Sequence, residues 1–196
     1  MSLTSLPILL DQIAACRACD LPHAPRPVVR AGAGARLLIV GQAPGRRVHE
    51  TGIPWNDPSG DLLRDWLQLT PEQFYDGERV AIVPMGFCYP GKAASSDLPP
   101  RPECAPLWHA RLLAAMPAIR LTLLVGRHAQ AYYLRGQAKP TLTATVAAWP
   151  DYLPGVFPLP HPSPRNRPWL KRHPWFESDV LPVLRREVAA ALADEG

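Results

Sequence analysis

The residues of this 196-residue chain that could do chemistry are four cysteines, two loops rich in glycine and proline, and one cationic run. Cys16 and Cys19 form a Cys-x-x-Cys pair, while Cys88 and Cys104 lie in the proline-rich segments Gly86-Phe-Cys-Tyr-Pro90 and Pro99-Pro-Arg-Pro-Glu-Cys-Ala-Pro106. A close pair is a common half of a metal or cluster site, and disulfides are not expected in a reducing cytosol. A zinc ribbon would show a second close pair, whereas dispersed thiolates suit an iron–sulfur cluster. Spacing alone leaves cluster, zinc and unligated thiols open.

The first loop, Gly41-Gln-Ala-Pro-Gly45, follows the apolar run Leu37-Leu-Ile-Val40 and opens into Thr51-Gly-Ile-Pro-Trp-Asn-Asp-Pro-Ser-Gly-Asp61. It offers carboxylates, the Gln42 amide and the Trp55 ring. The second loop, His161-Pro-Ser-Pro-Arg-Asn166, offers an imidazole, although a loop histidine held by its own backbone is the plainer reading. The run Arg165-Asn-Arg-Pro-Trp-Leu-Lys-Arg-His173 follows directly and sets four cations beside an aromatic residue, either as a solvated face or as a phosphate-binding one.

Strands and helices alternate in the elements that must position these groups. Leu37 to Val40 is short, aliphatic and bounded by glycines, which fits a strand buried on both faces of a parallel sheet. Arg79 to Val83, Leu121 to Val125 and Val156 to Leu159 read as further strands, the last an edge or strand end because of Pro158. Helices are expected over Leu6 to Ala15 (capped by Ser5 or Thr4), Ser59 to Leu69 (capped by Ser59), Pro106 to Met116, Arg127 to Arg135, Pro168 to Arg172 and Pro174 to Leu192. Shorter helical pieces are expected over Pro71 to Tyr75 and Leu142 to Trp149. The expected architecture is α/β: a single-domain three-layer α/β/α fold with a central, mostly parallel four-stranded sheet. In open α/β sheets ligands bind outside the carboxyl ends of the strands, which makes the stretch after Val40 the expected active-site loop.

A hydrophobic share of 47% fits one globular domain over residues 1–196. No apolar run approaches the roughly 20 residues needed to cross a bilayer, and the N-terminus lacks a signal-type segment, so a cytoplasmic protein away from membranes is expected. The formal charge of +4 is compatible with a nucleic-acid partner without requiring one. The 25 prolines are dispersed, which implies fixed loops rather than a low-complexity tract.

Taken together, Gly41-Gln-Ala-Pro-Gly45 with Thr51-Gly-Ile-Pro-Trp55, the His161-Pro-Ser-Pro-Arg165 loop and the cysteine set resemble the uracil-DNA glycosylase superfamily, most closely its iron–sulfur-containing bacterial and archaeal branch. That branch has two residues between its first cysteines and fifteen between its last, and Cys16, Cys19, Cys88 and Cys104 reproduce both intervals. The resemblance implies a structural [4Fe–4S] cluster on these cysteines, with zinc as the alternative, and a monomer acting on DNA that contains damaged bases.

The implied reaction flips a nucleotide into a pocket and breaks the bond between deoxyribose and base. Trp55 stands where the family places its stacking aromatic, and His161 where it places a donor to the departing base. Gly41, Ala43 and Met85 are expected around the base. The carboxylate departs from the pattern: the family's acidic positions after the first glycine are Gln42 and Ala43 here. Another branch carries its acid just before the Ser-Gly-Asp of the next helix, which makes Asp57 the candidate, with Glu50 and His49 as alternatives and Asp61 as a first-turn helix acid. Gln42 is left to orient water or the base. The family's uracil-reading Asn is replaced by Pro84, so backbone groups near Met85 are the expected substitute. On the DNA side the resemblance implies roles for Ser163, Arg165, Asn166, Arg167, Lys171 and Arg172, with Arg165 or Asn166 filling the gap left by the flipped base. Arg46 and Arg47 are further phosphate-contact candidates.

Overall fold

The computed structural model describes residues 5–94 and 96–193. The chain runs α1 (Leu6–Ala14), β1 (Leu37–Val40), α2 (Arg46–Thr51), α3 (Pro58–Leu67), α4 (Pro71–Phe74), β2 (Val80–Ile82), α5 (Cys104–Ala114), β3 (Leu121–Val125), α6 (Arg127–Leu134), α7 (Leu142–Ala147), β4 (Val156–Leu159), α8 (Arg167–Arg172) and α9 (Leu181–Leu192). A π-helical segment, Phe176–Val180, leads directly into α9.

All four strands are parallel, in the order β2-β1-β3-β4. Alternation along β1 separates two cores. Leu37 and Ile39 face Leu63, Trp66 and Leu67 of α3 and Leu184 and Val188 of α9. Leu38 and Val40 face Leu9 and Ile13 of α1, Trp108 and Leu112 of α5, and Ala129 and Leu134 of α6. Every residue of β1 is buried, as a central parallel strand covered by helices on both sides requires. β4 is an edge strand, where the missing amide of Pro158 removes no ladder partner. The antiparallel bridge from Arg30 to Ile82 covers the opposite edge at β2.

The chain leaves β1 toward β2 on one side, while β3 pairs on the other, so the crevice at the carboxyl ends of β1 and β3 is the topological switch point. Several local expectations are corrected there. The stretch after Val40 is interrupted by α2, which opens at Gly45 and closes at Gly52 with φ of 73°. Gly52 is the left-handed C-cap glycine that would have betrayed this helix. Helix α3 begins at Pro58 and is capped by Asp57, which accepts the Gly60 amide at 2.9 Å, whereas Ser59 lies buried inside the first turn. The same helix stops at Leu67, where Gln68 turns left-handed. Helix α5 starts at Cys104, earlier than Pro106, and ends at Ala114. At the chain start Ser5 makes no side-chain cap bond, and Thr4 lies outside the described residues.

Candidate active site

A cleft opens at the carboxyl ends of β1 and β2, lined among others by Gly41, Gln42, Trp55, Asp57, Pro84 and His161. Three widely separated stretches meet there because their strands end on the same rim of the sheet. Gly41 directly follows β1, Pro84 follows β2, and His161 follows β4.

The Trp55 ring is placed by its backbone. Its φ of 55° lies in the left-handed region that bulky residues avoid, a strain of about 1–3 kcal/mol that surrounding contacts must hold. The Trp55 carbonyl accepts hydrogen bonds from Arg64 Nη1 at 3.3 Å and from the Tyr75 hydroxyl at 3.4 Å. Arg64 also donates to the Tyr75 oxygen at 3.1 Å and pairs with Asp61, which stands in the first turn of α3 as expected. Two glycines make the fit possible: a Cβ on Gly60 would lie 1.7 Å from the Trp55 oxygen, and one on Gly41 would lie 2.8 Å from the indole ring.

His161 faces Trp55 with ring centroids 5.5 Å apart. Its imidazole engages no hydrogen-bond partner among the described residues. Burial pushes its pKa below the ordinary histidine value, while the Asp57 carboxylate pulls it back up, so the ring is neutral near pH 7. The loop is pinned behind it, since Asn166 Nδ2 donates to the His161 carbonyl at 2.7 Å. Asp57 uses Oδ1 as the helix cap and keeps its other carboxylate oxygen for the cleft. The Gln42 side-chain amide also engages no partner among the described residues. A neutral donor, a carboxylate and an amide therefore converge around one aromatic ring.

Met85 is not among the residues that line the cleft. Met85 is buried, and its amide donates to the Gly41 carbonyl at 2.9 Å, while the Gly86 amide donates to the Gln42 carbonyl at 3.0 Å. Pro84, together with Val28, Val48, Pro54 and Ile82, forms the wall instead. Behind Pro84 lies a polar pair the sequence did not announce. His109 Nε2 donates to the Pro84 carbonyl at 3.0 Å, which leaves Nδ1 to accept the Tyr133 hydroxyl at 2.7 Å. Burial lowers the His109 pKa to about 4. The only available signal was a lone histidine on the apolar face of α5.

Ala43 lines both this cleft and a wider groove that also takes in Lys92, Asp97, Leu98, Ser163, Arg165 and Asn166. Arg165 is exposed there, whereas the Ser163 hydroxyl accepts the Arg165 amide at 3.3 Å. Arg167, Lys171 and Arg172 are exposed on α8, outside the groove lining. Trp169 between them points inward and donates to Thr143 Oγ1 at 2.8 Å. Of the alternative acids, Glu50 pairs with Arg46 at 2.8 Å, and Arg47 is exposed beside them. His49 packs against His23 with ring centroids 4.6 Å apart and planes tilted by 43°, outside the cleft.

The four cysteines are free and line one separate cavity. The Phe87 amide donates to Cys104 Sγ at 3.3 Å, and the Arg26 backbone amide donates to the Cys88 sulfur. Burial pushes the Cys88 thiol up to about 11 and the Cys104 thiol up to about 12. Among the described residues no three His, Cys, Asp or Glu side chains are grouped as ligands of a single metal ion.

A family model for the uracil DNA glycosylase superfamily matches residues 29–185, beginning just after the first cysteine pair and taking in the cleft, the groove and all four strands. With that span and the convergence of Gly41, Trp55 and His161 on one rim of the sheet, the chain belongs to the uracil DNA glycosylase superfamily.

Proposed function

We propose that the protein is a DNA glycosylase that hydrolyses the N-glycosidic bond of a deaminated base, uracil first among them, flipped out of DNA, and so initiates base excision repair. The observation that carries this reading is the convergence of Asp57, Gln42 and His161 around Trp55 in a cleft that opens into a groove bordered by Arg165. A flipped base stacks on Trp55. The bond from C1′ to the base nitrogen breaks with its electron pair leaving on the base, and neutral His161 donates a hydrogen bond to the base oxygen where that charge collects. The Asp57 carboxylate faces the positive charge on the sugar. Gln42 orients the water whose oxygen joins C1′ and whose proton is released. Arg165 fills the vacated space in the duplex, and Arg167, Lys171 and Arg172 meet phosphates.

The cysteine cavity supports a [4Fe–4S] cluster held by Cys16, Cys19, Cys88 and Cys104. Four thiols face one space, and backbone amides reach two of the sulfurs. Zinc on the same four thiols is the alternative. The cluster would supply cross-linking rather than electrons, since the hydrolysis moves none. Iron and acid-labile sulfide in a ratio of four each per chain, with broad visible absorption, is the expected composition. Stoichiometric zinc in a colourless protein would refute it.

The test of the reaction is incubation with oligonucleotides containing uracil, hypoxanthine or xanthine, followed by alkaline cleavage at abasic sites. Cleavage of the uracil strand is expected, and no cleavage of any strand would sink the reading. A non-catalytic damage-binding protein is the second reading, favoured by the uncharged Gln42 and Ala43 at the usual acidic positions. Tight, salt-sensitive DNA binding without base release, unaffected by Asp57→Ala, would establish it.

A further inference from the structure

The wall of the cysteine cavity carries a cation whose donors are incompletely used. Arg101 lines that cavity together with the four cysteines, and it stands between Pro100 and Pro102, three residues before Cys104. Its carbonyl accepts the Cys104 amide at 3.3 Å, so one turn of chain carries both the cation and a thiol. Arg101 Nη2 donates to the Asp20 carbonyl, which ties the guanidinium to the residue after Cys19. Arg101 Nε, by contrast, is buried and has no hydrogen-bond partner among the described residues. A buried N–H without a partner is destabilising, which favours a group in the cavity that accepts it.

Leu21, Pro25, Pro27 and Phe87 form apolar parts of the same lining. Four thiolates around a dicationic [4Fe–4S] core make a dianion, and an anion placed among apolar groups is costly unless a cation or donors face it. Arg17 also lines the cavity, but it is exposed, and its Nη1 donates to the Ala14 and Cys16 carbonyls at 3.3 and 2.8 Å. Water and salt screen such a charge. Arg101 is half-buried, and its charge acts on Cys19, where the exposed Glu103 opposes it. Of these two cations, Arg101 is the one whose field the solvent weakens less.

We infer that Arg101 is the counter-ion of the cluster: its Nε–H donates to a cluster sulfur, and its charge stabilises the more negative member of the one-electron couple. This rests on the [4Fe–4S] reading of the cavity given above. A fixed positive charge raises the reduction potential, because the reduced form carries one more negative charge, and a hydrogen bond to sulfur acts in the same direction. The planar guanidinium supplies both. Lysine supplies the charge on a flexible stem without the fixed Nε donor.

The test uses the full-length, iron-loaded protein and its Arg101→Met and Arg101→Lys variants. Midpoint potentials are read by protein-film voltammetry, and cluster loss by the fall in visible absorbance under an iron chelator. Arg101→Met is expected to move the potential to more negative values by the equivalent of about tenfold or more in the one-electron equilibrium, about 59 mV, and to lose iron about tenfold faster. Arg101→Lys is expected to move it in the same direction by less. An unmoved potential in Arg101→Met overturns the inference even if iron is lost faster, since a side chain that only anchors the Asp20 carbonyl changes retention and not potential. If Arg101→Met holds no iron, Arg101→Lys decides: a negative shift supports the inference, and an unmoved potential, or loss of the cluster from this charge-retaining variant, overturns it. Zinc or no metal in the wild-type protein would overturn the cluster reading and the inference together, whereas an unmoved potential in an iron-loaded variant overturns the inference alone.

Discussion

Asp57 serves two roles that substitution can separate, because the carboxylate caps α3 through Oδ1 and also faces the cleft. Asparagine caps helices about as well as aspartate but carries no charge. Asp57→Asn is therefore expected to lower base release by about 10²-fold or more with unfolding free energy nearly unchanged. Asp57→Ala should lose as much activity and also about 1 kcal/mol of stability. Comparing single-turnover rates and urea unfolding for the two variants checks this. The same carboxylate acts on His161. Burial holds that imidazole below the ordinary value and Asp57 raises it, so removing the charge must lower it further. An NMR titration should find His161 titrating below about 6.5 in the native protein, and at still lower pH in Asp57→Asn.

At the scale of elements, the cleft depends on contacts between segments distant in sequence. Gly60 on α3 admits the Trp55 carbonyl, and a methyl group there would overlap it at 1.7 Å. Gly60→Ala is expected to destabilise the fold by about 1–3 kcal/mol and to cut base release by about tenfold or more through displacement of Trp55, measured by thermal unfolding and the release assay. Helix α5 contributes the buried His109, which is neutral in the folded protein with a pKa near 4 against about 6.5 when unfolded. The unfolded chain then binds the extra proton as pH falls through about 6.5, so stability drops from there down to about pH 4. The lost amount is on the order of 3 kcal/mol. Urea unfolding at pH 7 and pH 4.5 should show this loss, and His109→Phe should show a flatter dependence.

At the scale of the whole molecule, the carboxyl rim of the sheet carries the cleft, while α8 extends the adjoining surface with exposed Arg167, Lys171 and Arg172. Each phosphate neutralised on a duplex contributes about −0.9 to the slope of log affinity against log salt. Replacing any one of these three by Gln should weaken DNA binding similarly for all sequences and reduce the magnitude of the slope by about 1, as read by fluorescence anisotropy over a salt series. Behind the rim, the proline-rich stretch Pro25 to Val28 lies between the two cavities. Pro25 and Pro27 line the cysteine cavity, Val28 lines the cleft beside Trp55, and Arg26 donates to the His49 and Glu50 carbonyls at 2.7 Å each, holding the end of α2.

The sequence by itself determined the four strands, their parallel arrangement under helices on both faces, and the two loops at their carboxyl ends. Periodicity and chain punctuation report which faces must be buried, and burial dictates that architecture. It also supplied Trp55, Asp57, Gln42 and His161 as candidates, because side-chain identities are read directly. It did not reveal α2, because a six-residue helix has too few turns to show a period and only Gly52 marked its end. Only the tertiary structure decided that Trp55 is held left-handed by Arg64 and Tyr75, and that Pro84 rather than Met85 lines the cleft, backed by His109. Those outcomes depend on which backbone groups find partners 9 to 44 residues away, as Arg64 does at Trp55 and Met85 at Gly41. Hydrogen-bond completion across a packed interior is a property of the folded chain, and no local pattern encodes it.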